Sequence, residues 1–366
     1  MCEWSERQAK FAPALFTARA VHSRAVGPTF AVVCTRGRLC VCSRRRRAER
    51  ARAVADALNA LAAVADHRSM PERPILPTRS TVTSRGIDCV LWTWPVQQPK
   101  GTVVVYHGLG AHARFPSVRL VAELLAARGY RVCAMDLPGH GESPGLRGYI
   151  DSADALIVDG IRAATAAATP SAQPGPVFLL GSSMGGAIAV QVASALAAMD
   201  VKLAGLVLLA PMLGPAAGTP ARLLLQALAW TPLARVPLIP SSATDNRKQY
   251  SDEAVLREVA ADALAYKGKL RVASAAAVVD LGHRTEANLE AVAAPFFCLV
   301  ADREMVLGPR SRAAAERLMQ VAATPPEHRA HKSYDALHGI LCEPPEKRER
   351  IVAEIVSWMD ARCSRV

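Results

Sequence analysis

Ser183 lies at the centre of the pattern in this chain that most directly indicates covalent chemistry. Residues 177–185 read VFLLGSSMG, so an apolar run ends in Gly-x-Ser-x-Gly, and an Ala/Val/Ile-rich run follows. A strand, a sharp turn and a helix in that order present a serine hydroxyl at the end of the strand. Gly181 and Gly185 flank the serine because a Cβ at either position would clash in so tight a turn. The pattern predicts Ser183 as a nucleophile.

A serine nucleophile needs a base to take its proton and an acid to orient that base. In a sheet of parallel strands these groups come from later loops at the carboxyl ends of strands, in the chain order Ser, Asp, His. Asp302 directly follows the apolar run 296–300, and His338 follows the next predicted strand. We therefore predict Asp302 and His338 as the partners of Ser183.

Other residues compete for these two roles. Glu304 and Asp335 are the alternative acids, although Asp335 is too close in sequence to His338 to reach behind its ring easily. His331 is the alternative base, but it falls within the predicted strand. The chain order Ser, Asp, His and the position of each residue after a predicted strand favour Asp302 and His338.

Two backbone N–H groups are predicted to stabilise an oxyanion beside the serine. The Met184 N–H opens the helix after Ser183, and a helix N-terminus carries partial positive charge. The second donor should come from the loop 107–112, which reads HGLGAH and follows the apolar strand 101–106. Leu109 is the candidate residue in that loop.

The same loop contains residues that are expected to shape it. Gly108 and Gly110 let the backbone pass close to Ser183. His107 is expected to brace the loop by hydrogen bonds rather than to transfer a proton, and His140 is interpreted as a structural loop residue in the same way.

Composition limits the classes of function. Hydrophobic residues make up 51% and charged residues 21%, which is typical of a globular protein. The net charge is +12, but residues 1–70 hold 13 basic against 5 acidic residues, so nucleic-acid binding is not needed to explain it. The nine cysteines have no metal-ligand spacing and indicate free thiols in a reducing, intracellular compartment. We expect no metal, no cofactor and no nucleic-acid partner.

The order of elements predicts an α/β fold with a doubly wound, mostly parallel sheet. Strands alternate with helices of about 15 residues, first over 78–211 and again over 291–366, which together form the predicted core. Residues 212–290 interrupt the alternation with short helices broken by prolines, and we interpret them as an inserted helical cap or lid. No run of about 18 apolar residues predicts a membrane-spanning helix.

The first 77 residues are predicted to form a basic leader and linker. Their Ala/Arg-rich composition is typical of plastid or mitochondrial import sequences. A solvated basic helix resting on an anionic membrane is the other interpretation.

The apolar segment 222–239 within the cap is too hydrophobic for an ordinary free surface. One interpretation is that it packs down on the sheet. The other is an amphipathic lid that lines an acyl tunnel and touches a membrane or a lipid droplet.

Five motifs, in order, resemble the monoacylglycerol lipase-like branch of the α/β-hydrolases. They lie at residues 107–115, 136–143, 181–186, 301–302 and 338–339. This branch overlaps serine-aminopeptidase-type and lysophospholipase-type sequences, the plant members look closest, and the likeness covers roughly residues 78–362.

The resemblance implies an α/β-hydrolase fold, Ser183 as nucleophile, and Asp302 and His338 as its partners. It also implies the Leu109 and Met184 amides as the oxyanion hole and a helical cap over residues 212–290. Ser182 stands where many relatives have His, and we expect this to be tolerated because that side chain points away from the reaction. The segment after His112 is one residue shorter than the common form, and the leader has no counterpart.

The expected function is hydrolysis of carboxylic esters of single-chain lipids, above all monoacylglycerol to glycerol and fatty acid, through an acyl-enzyme. A lysophospholipase, a general carboxylesterase or an acyltransferase could use the same three side chains. A catalytically silent hydrolase fold that serves as a binding protein is the alternative of a different class.

Overall fold

The computed structural model describes residues 75–168 and 175–363. Its principal feature is a sheet of eight strands. The described residues form ten strands, which are β1 (Thr78–Ser84), β2 (Ile87–Trp94), β3 (Gly101–Tyr106), β4 (Tyr130–Met135), β5 (Val177–Ser182), β6 (Gly205–Leu209), β7 (Pro237–Ile239), β8 (Leu270–Arg271), β9 (Phe296–Ala301) and β10 (Arg329–Tyr334).

Nine α-helices lie between and after these strands within the described residues. They are α1 (Pro116–Ala127), α2 (Ala153–Ala168), α3 (Met184–Ala198), α4 (Thr219–Ala229), α5 (Asn246–Gln249), α6 (Glu253–Ala261), α7 (Val272–Ala287), α8 (Pro309–Val321) and α9 (Pro345–Cys363).

The large sheet has the strand order β1-β2-β4-β3-β5-β6-β9-β10. The β1–β2 hairpin and the β2–β4 pair are antiparallel, and every other pairing in the sheet is parallel. All residues of β3, β6 and β9 are buried, as expected for central strands covered on both faces. The predicted doubly wound α/β fold is confirmed.

Two apolar layers enclose the sheet. One face packs against α2, α3, α7 and α8, and the other packs against α1 and α9. Since parallel strands all end at the same edge, the loops after β3, β5, β9 and β10 meet there. This edge positions the candidate site.

Residues 212–290 leave the sheet after β6 and return to it at β9. They contain short elements, as expected, but also α7, a 16-residue helix with most of its residues buried. The Gln191 side chain of α3 donates to the Thr285 hydroxyl of α7 over 3.4 Å, and Arg284 of α7 pairs with Asp154 of α2. The last helix of the segment thus packs on the core helices. The cap and core boundaries remain predictions.

Helix α4 has no buried residue at all, so its apolar side chains do not pack down on the sheet. Within the described residues, no helix is both long enough and apolar enough to cross a membrane. Nearly all of the predicted leader, residues 1–74, lies outside the described residues, and its import role remains a prediction.

Candidate active site

Ser183 lies in a sharp turn between β5 and α3. Its backbone angles are φ 57° and ψ −122°, a conformation that a non-glycine residue rarely adopts. A Cβ at Gly181 would overlap the Gly185 carbonyl, and a Cβ at Gly185 would overlap the Tyr106 carbonyl. Both glycines are therefore required for the strained turn that holds up the serine.

Backbone hydrogen bonds fasten this turn to the neighbouring strand. The Ser183 N–H donates to the Leu209 carbonyl of β6 over 3.1 Å. The Ser183 carbonyl accepts from Gly186 and from Met212, each over 2.9 Å. The strained conformation is thus fixed on both sides of the peptide unit, so the serine is positioned by backbone alone.

The loop after β3 lies directly beside the serine. A Cβ built on Gly108 would stand 3.5 Å from the Ser183 Cβ, which is ordinary contact. Gly110 has φ +72°, and its carbonyl accepts from the Tyr266 N–H over 2.8 Å. The hydrogen bonds of the described residues leave the N–H groups of Leu109 and Met184 without a partner. Both donors are free to receive a developing oxyanion.

Two buried histidines support that loop from behind. His107 donates from Nδ1 to the Gly108 carbonyl over 2.9 Å and accepts from the Leu137 N–H at Nε2 over 3.3 Å. His140 donates from Nδ1 to the Pro138 carbonyl over 3.0 Å. Burial lowers the pKa of His107 to about 4 and that of His140 to about 3, so both rings are neutral at pH 7.

His338 follows β10 and forms a buried hydrogen bond with a carboxylate. Its Nδ1 lies 2.7 Å from Oε2 of Glu304, and both side chains are largely buried. Burial acts to raise the pKa of Glu304, but the contact with His338 and two N–H donors, from Val306 and Leu307, outweigh it and hold the pKa below its usual value. Glu304 is therefore an ionised acceptor that fixes the imidazole with Nε2 free for chemistry.

The prediction that Asp302 orients His338 is corrected by this geometry. Asp302 accepts from the Ser333 hydroxyl, lies 3.6 Å from Arg312, and is nearly half exposed. Its N–H still donates to the Tyr334 carbonyl over 2.9 Å, which extends the β9–β10 ladder by one residue. Two residues later the chain has left the sheet, and the longer Glu304 side chain reaches the ring.

The remaining alternatives lie elsewhere. His331 is inside β10, and Asp335 is exposed and pairs with Arg303 over 2.8 Å. Glu304 was among the sequence alternatives, yet the pattern favoured the first acid after the strand. The signal that points to Glu304 is side-chain length, because an acid that follows the end of the strand by several residues must span a longer distance to reach the ring of His338.

Ser183, His338 and Leu109 line one cavity with about 620 Å³ of space between protein atoms, part of it open to solvent. Ser182 also lines this cavity, and the expected direction of its side chain stays a prediction. Sequence reasoning did not single out the cap residues that complete the wall, which include Thr244, Asn246, Gln249, Tyr250, Tyr266 and Lys267.

The arrangement supplies a hydroxyl, an imidazole with a buried carboxylate behind it, and two N–H donors. This set is suited to acyl transfer through a covalent intermediate. Among the described residues, no group of three His, Cys, Asp or Glu side chains could hold a metal ion.

Comparisons with known proteins agree with this chemistry. The family model described as serine aminopeptidase, S33, matches residues 97–345. The chain is 28% identical over 288 residues to a monoacylglycerol lipase of Mycolicibacterium smegmatis, covering 77% of this chain and 97% of that protein. It is 27% identical over 292 residues to the human monoglyceride lipase, covering 78% and 91%.

A similar fold is found among solved structures. A soluble variant of the monoglyceride lipase of Saccharomyces cerevisiae, in complex with a substrate analogue, superposes with a TM-score of 0.67. That match covers 80% of this chain and 97% of the other, at 18% sequence identity. At this identity the likeness establishes the fold alone.

Proposed function

The chain belongs to the family described as serine aminopeptidase, S33, and on that premise we propose that it hydrolyses carboxylic esters of single-chain lipids. Monoacylglycerol, cleaved to glycerol and a fatty acid, is the substrate we expect. The observation that carries the proposal is the buried hydrogen bond to Glu304 from His338, which lines the same cavity as Ser183.

The proposed reaction has two steps. Ser183 Oγ attacks the ester carbonyl while His338 Nε2 takes its proton, and the protonated imidazole then delivers that proton to the departing alcohol oxygen. Glu304 stabilises the charged imidazole, and the N–H groups of Leu109 and Met184 stabilise the tetrahedral oxyanion. A water then attacks the acyl carbon while His338 takes its proton, and the bond from that carbon to Ser183 Oγ breaks as His338 returns the proton to Oγ, which releases the fatty acid.

The substrate class is supported by the relatives and by the cap. Both curated relatives described above are named as lipases that act on monoacylglycerols. The segment 212–290 also presents exposed large apolar side chains, which suit a protein that acts on lipid esters better than one that acts on peptides.

We also propose that the cap rests on a lipid surface, either a membrane or a lipid droplet. Trp230 is 93% exposed, and Leu223, Leu224 and Leu238 are all about half exposed or more. Exposed large apolar side chains are costly in water and are stabilised by transfer to an acyl layer.

Covalent labelling tests the nucleophile. The purified protein should react with a fluorophosphonate probe and should hydrolyse 1-oleoylglycerol. Ser183→Ala should abolish both, with at least a thousandfold loss of kcat. Ser182→Ala is the matched control, because it removes the neighbouring hydroxyl from the same turn, and it should keep both activities. Labelling that persists in Ser183→Ala, or no labelling of the native protein, would contradict the proposal.

A further inference from the structure

Lys267 carries a positive charge on the wall of the cavity that holds Ser183 and His338. It lies in the connection between α6 and β8. Its Nζ donates to the Ala260 carbonyl, in the last turn of α6, over 2.7 Å. The C-terminal end of a helix carries partial negative charge, so this contact favours the position of the exposed ammonium at the rim of the cavity. Two of its three N–H donors remain for a ligand.

The charge on Lys267 is not neutralised within the described residues. No carboxylate among them forms an ion pair with it, whereas Lys100, Lys248, Lys332 and Lys347 each have one. No Asp or Glu lines the cavity either. A cleft with one sign of charge and no counter-charge attracts ligands of the opposite sign.

The position of Lys267 is fixed relative to the reacting centre. The N–H of Tyr266, its neighbour in sequence, donates to the Gly110 carbonyl in the loop that carries Leu109. Uncharged polar side chains of Ser117, Asn246 and Gln249 line the same cavity. This combination suits the polar alcohol part of an ester rather than its acyl chain.

We propose that Lys267 binds an anionic group on the alcohol part of the ester. The site then takes monoacylglycerols that carry a phosphate as well as neutral ones. A hydrogen bond from an ammonium to a phosphate oxygen is among the strong ones, so the charge on Lys267 governs affinity for the phosphorylated ester. The inference rests on the proposed function, because it assigns the head-group end of the same cleft.

The test compares two soluble esters that differ only in the head group. These are 1-hexanoylglycerol and 1-hexanoylglycerol 3-phosphate, both used below their micelle concentrations so that attraction of the basic protein to a charged interface plays no part. kcat and KM are measured for the native protein, Lys267→Gln and Lys269→Gln. Lys269 is the matched control because, like Lys267, it is exposed and has no ion pair within the described residues, but unlike Lys267 it does not line the cavity.

We expect Lys267→Gln to lower kcat/KM for the phosphorylated ester about tenfold or more, chiefly through KM, and to change the neutral ester less than twofold. Lys269→Gln should change neither. Equal losses on both esters would mean that Lys267 only stabilises the end of α6, and would overturn the inference. So would an equal effect of Lys269→Gln. If the native protein hydrolyses neither ester, both the proposed function and the inference about Lys267 are wrong.

Discussion

At the level of single residues, the carboxylate behind His338 controls how well the imidazole bears a positive charge during the reaction. Glu304 makes the contact with Nδ1 and is largely buried, whereas Asp302 is bound by Ser333 and Arg312 at a half-exposed position. Loss of a buried charge partner removes both the orientation and the electrostatic stabilisation of the ring.

Two isosteric substitutions distinguish the roles of these two carboxylates. Glu304→Gln should lower kcat on 1-oleoylglycerol about a thousandfold or more, because the amide cannot stabilise the charged imidazole. Asp302→Asn should stay within about threefold of the native rate. Steady-state kinetics on both variants, with thermal unfolding to show that each is folded, provides the measurement. A larger loss in Asp302→Asn would show that Asp302, the acid that the sequence favoured, is the functional partner of His338.

The residue scale also shows where sequence reasoning stops. Ser183 and the two glycines around it were predictable because the strained turn admits few residue types. The choice between Asp302 and Glu304 was not, because it depends on how far the β9–β10 ladder extends before the chain turns away. Backbone hydrogen bonds from Asp302 to Tyr334 and from Arg303 to Ala336 keep these two residues beside the segment that leads to His338, and Glu304 follows them.

At the level of elements, the cap helix α4 differs from every core helix because it buries none of its residues. Its contact with the rest of the protein is polar on one side, where Arg222 and Gln226 reach Asp280 of α7. Leu223 and Leu224 of α4 and Trp230 directly after it are exposed. The helix is therefore anchored by polar contacts and, together with Trp230, presents an exposed apolar face.

Replacing that apolar face should release the protein from lipid. The variant Leu223→Ser/Leu224→Ser/Trp230→Ser should bind vesicles of phosphatidylcholine and phosphatidylglycerol at least tenfold more weakly, since each side chain contributes on the order of 1 kcal/mol or more on burial. Co-sedimentation with vesicles measures this. The matched control is Met199→Ser/Val201→Ser, which removes exposed apolar side chains after α3. An equal loss in the control would show that the cap is not the lipid-facing surface.

The element scale explains which parts of the fold could be predicted. The alternation of core strands and helices over 78–211 and 291–366 is predictable, because continuous apolar runs and a period of about 3.6 residues define such elements locally. The sequence predicts only short helices over residues 212–290 and does not indicate the longer helix α7. Its many alanines give little amphipathic contrast, and its burial against α2 and α3 is visible only in the folded chain.

At the level of the whole molecule, stability should fall in acid because His107 and His140 are buried as neutral rings. Burial lowers their pKa values to about 4 and about 3. Unfolding exposes them and returns the pKa to about 6.5, so the unfolded chain binds protons first as the pH falls. The contribution of these two rings to the free energy of unfolding is therefore at its full value above about pH 6.5, and it decreases from there towards pH 4.

Urea unfolding at pH 7.5 and pH 5.0 measures this dependence. Each histidine should contribute on the order of 2 kcal/mol to the loss of unfolding free energy between the two pH values. His140→Phe removes one titrating ring and should make the loss smaller. His328→Phe is the control, because that histidine lies outside the core, and it should leave the loss unchanged. A pH dependence identical in His140→Phe and the native protein would contradict the assignment.

The inserted segment is tied to the reacting centre at its start and again before helix α7. Met212, where the chain departs from β6, donates to the carbonyl of the nucleophile itself, and Tyr266 donates to the glycine beside the second amide donor. A lid transplanted from a relative would therefore have to recreate both peptide-to-peptide links. Otherwise the graft would alter turnover as well as chain-length preference.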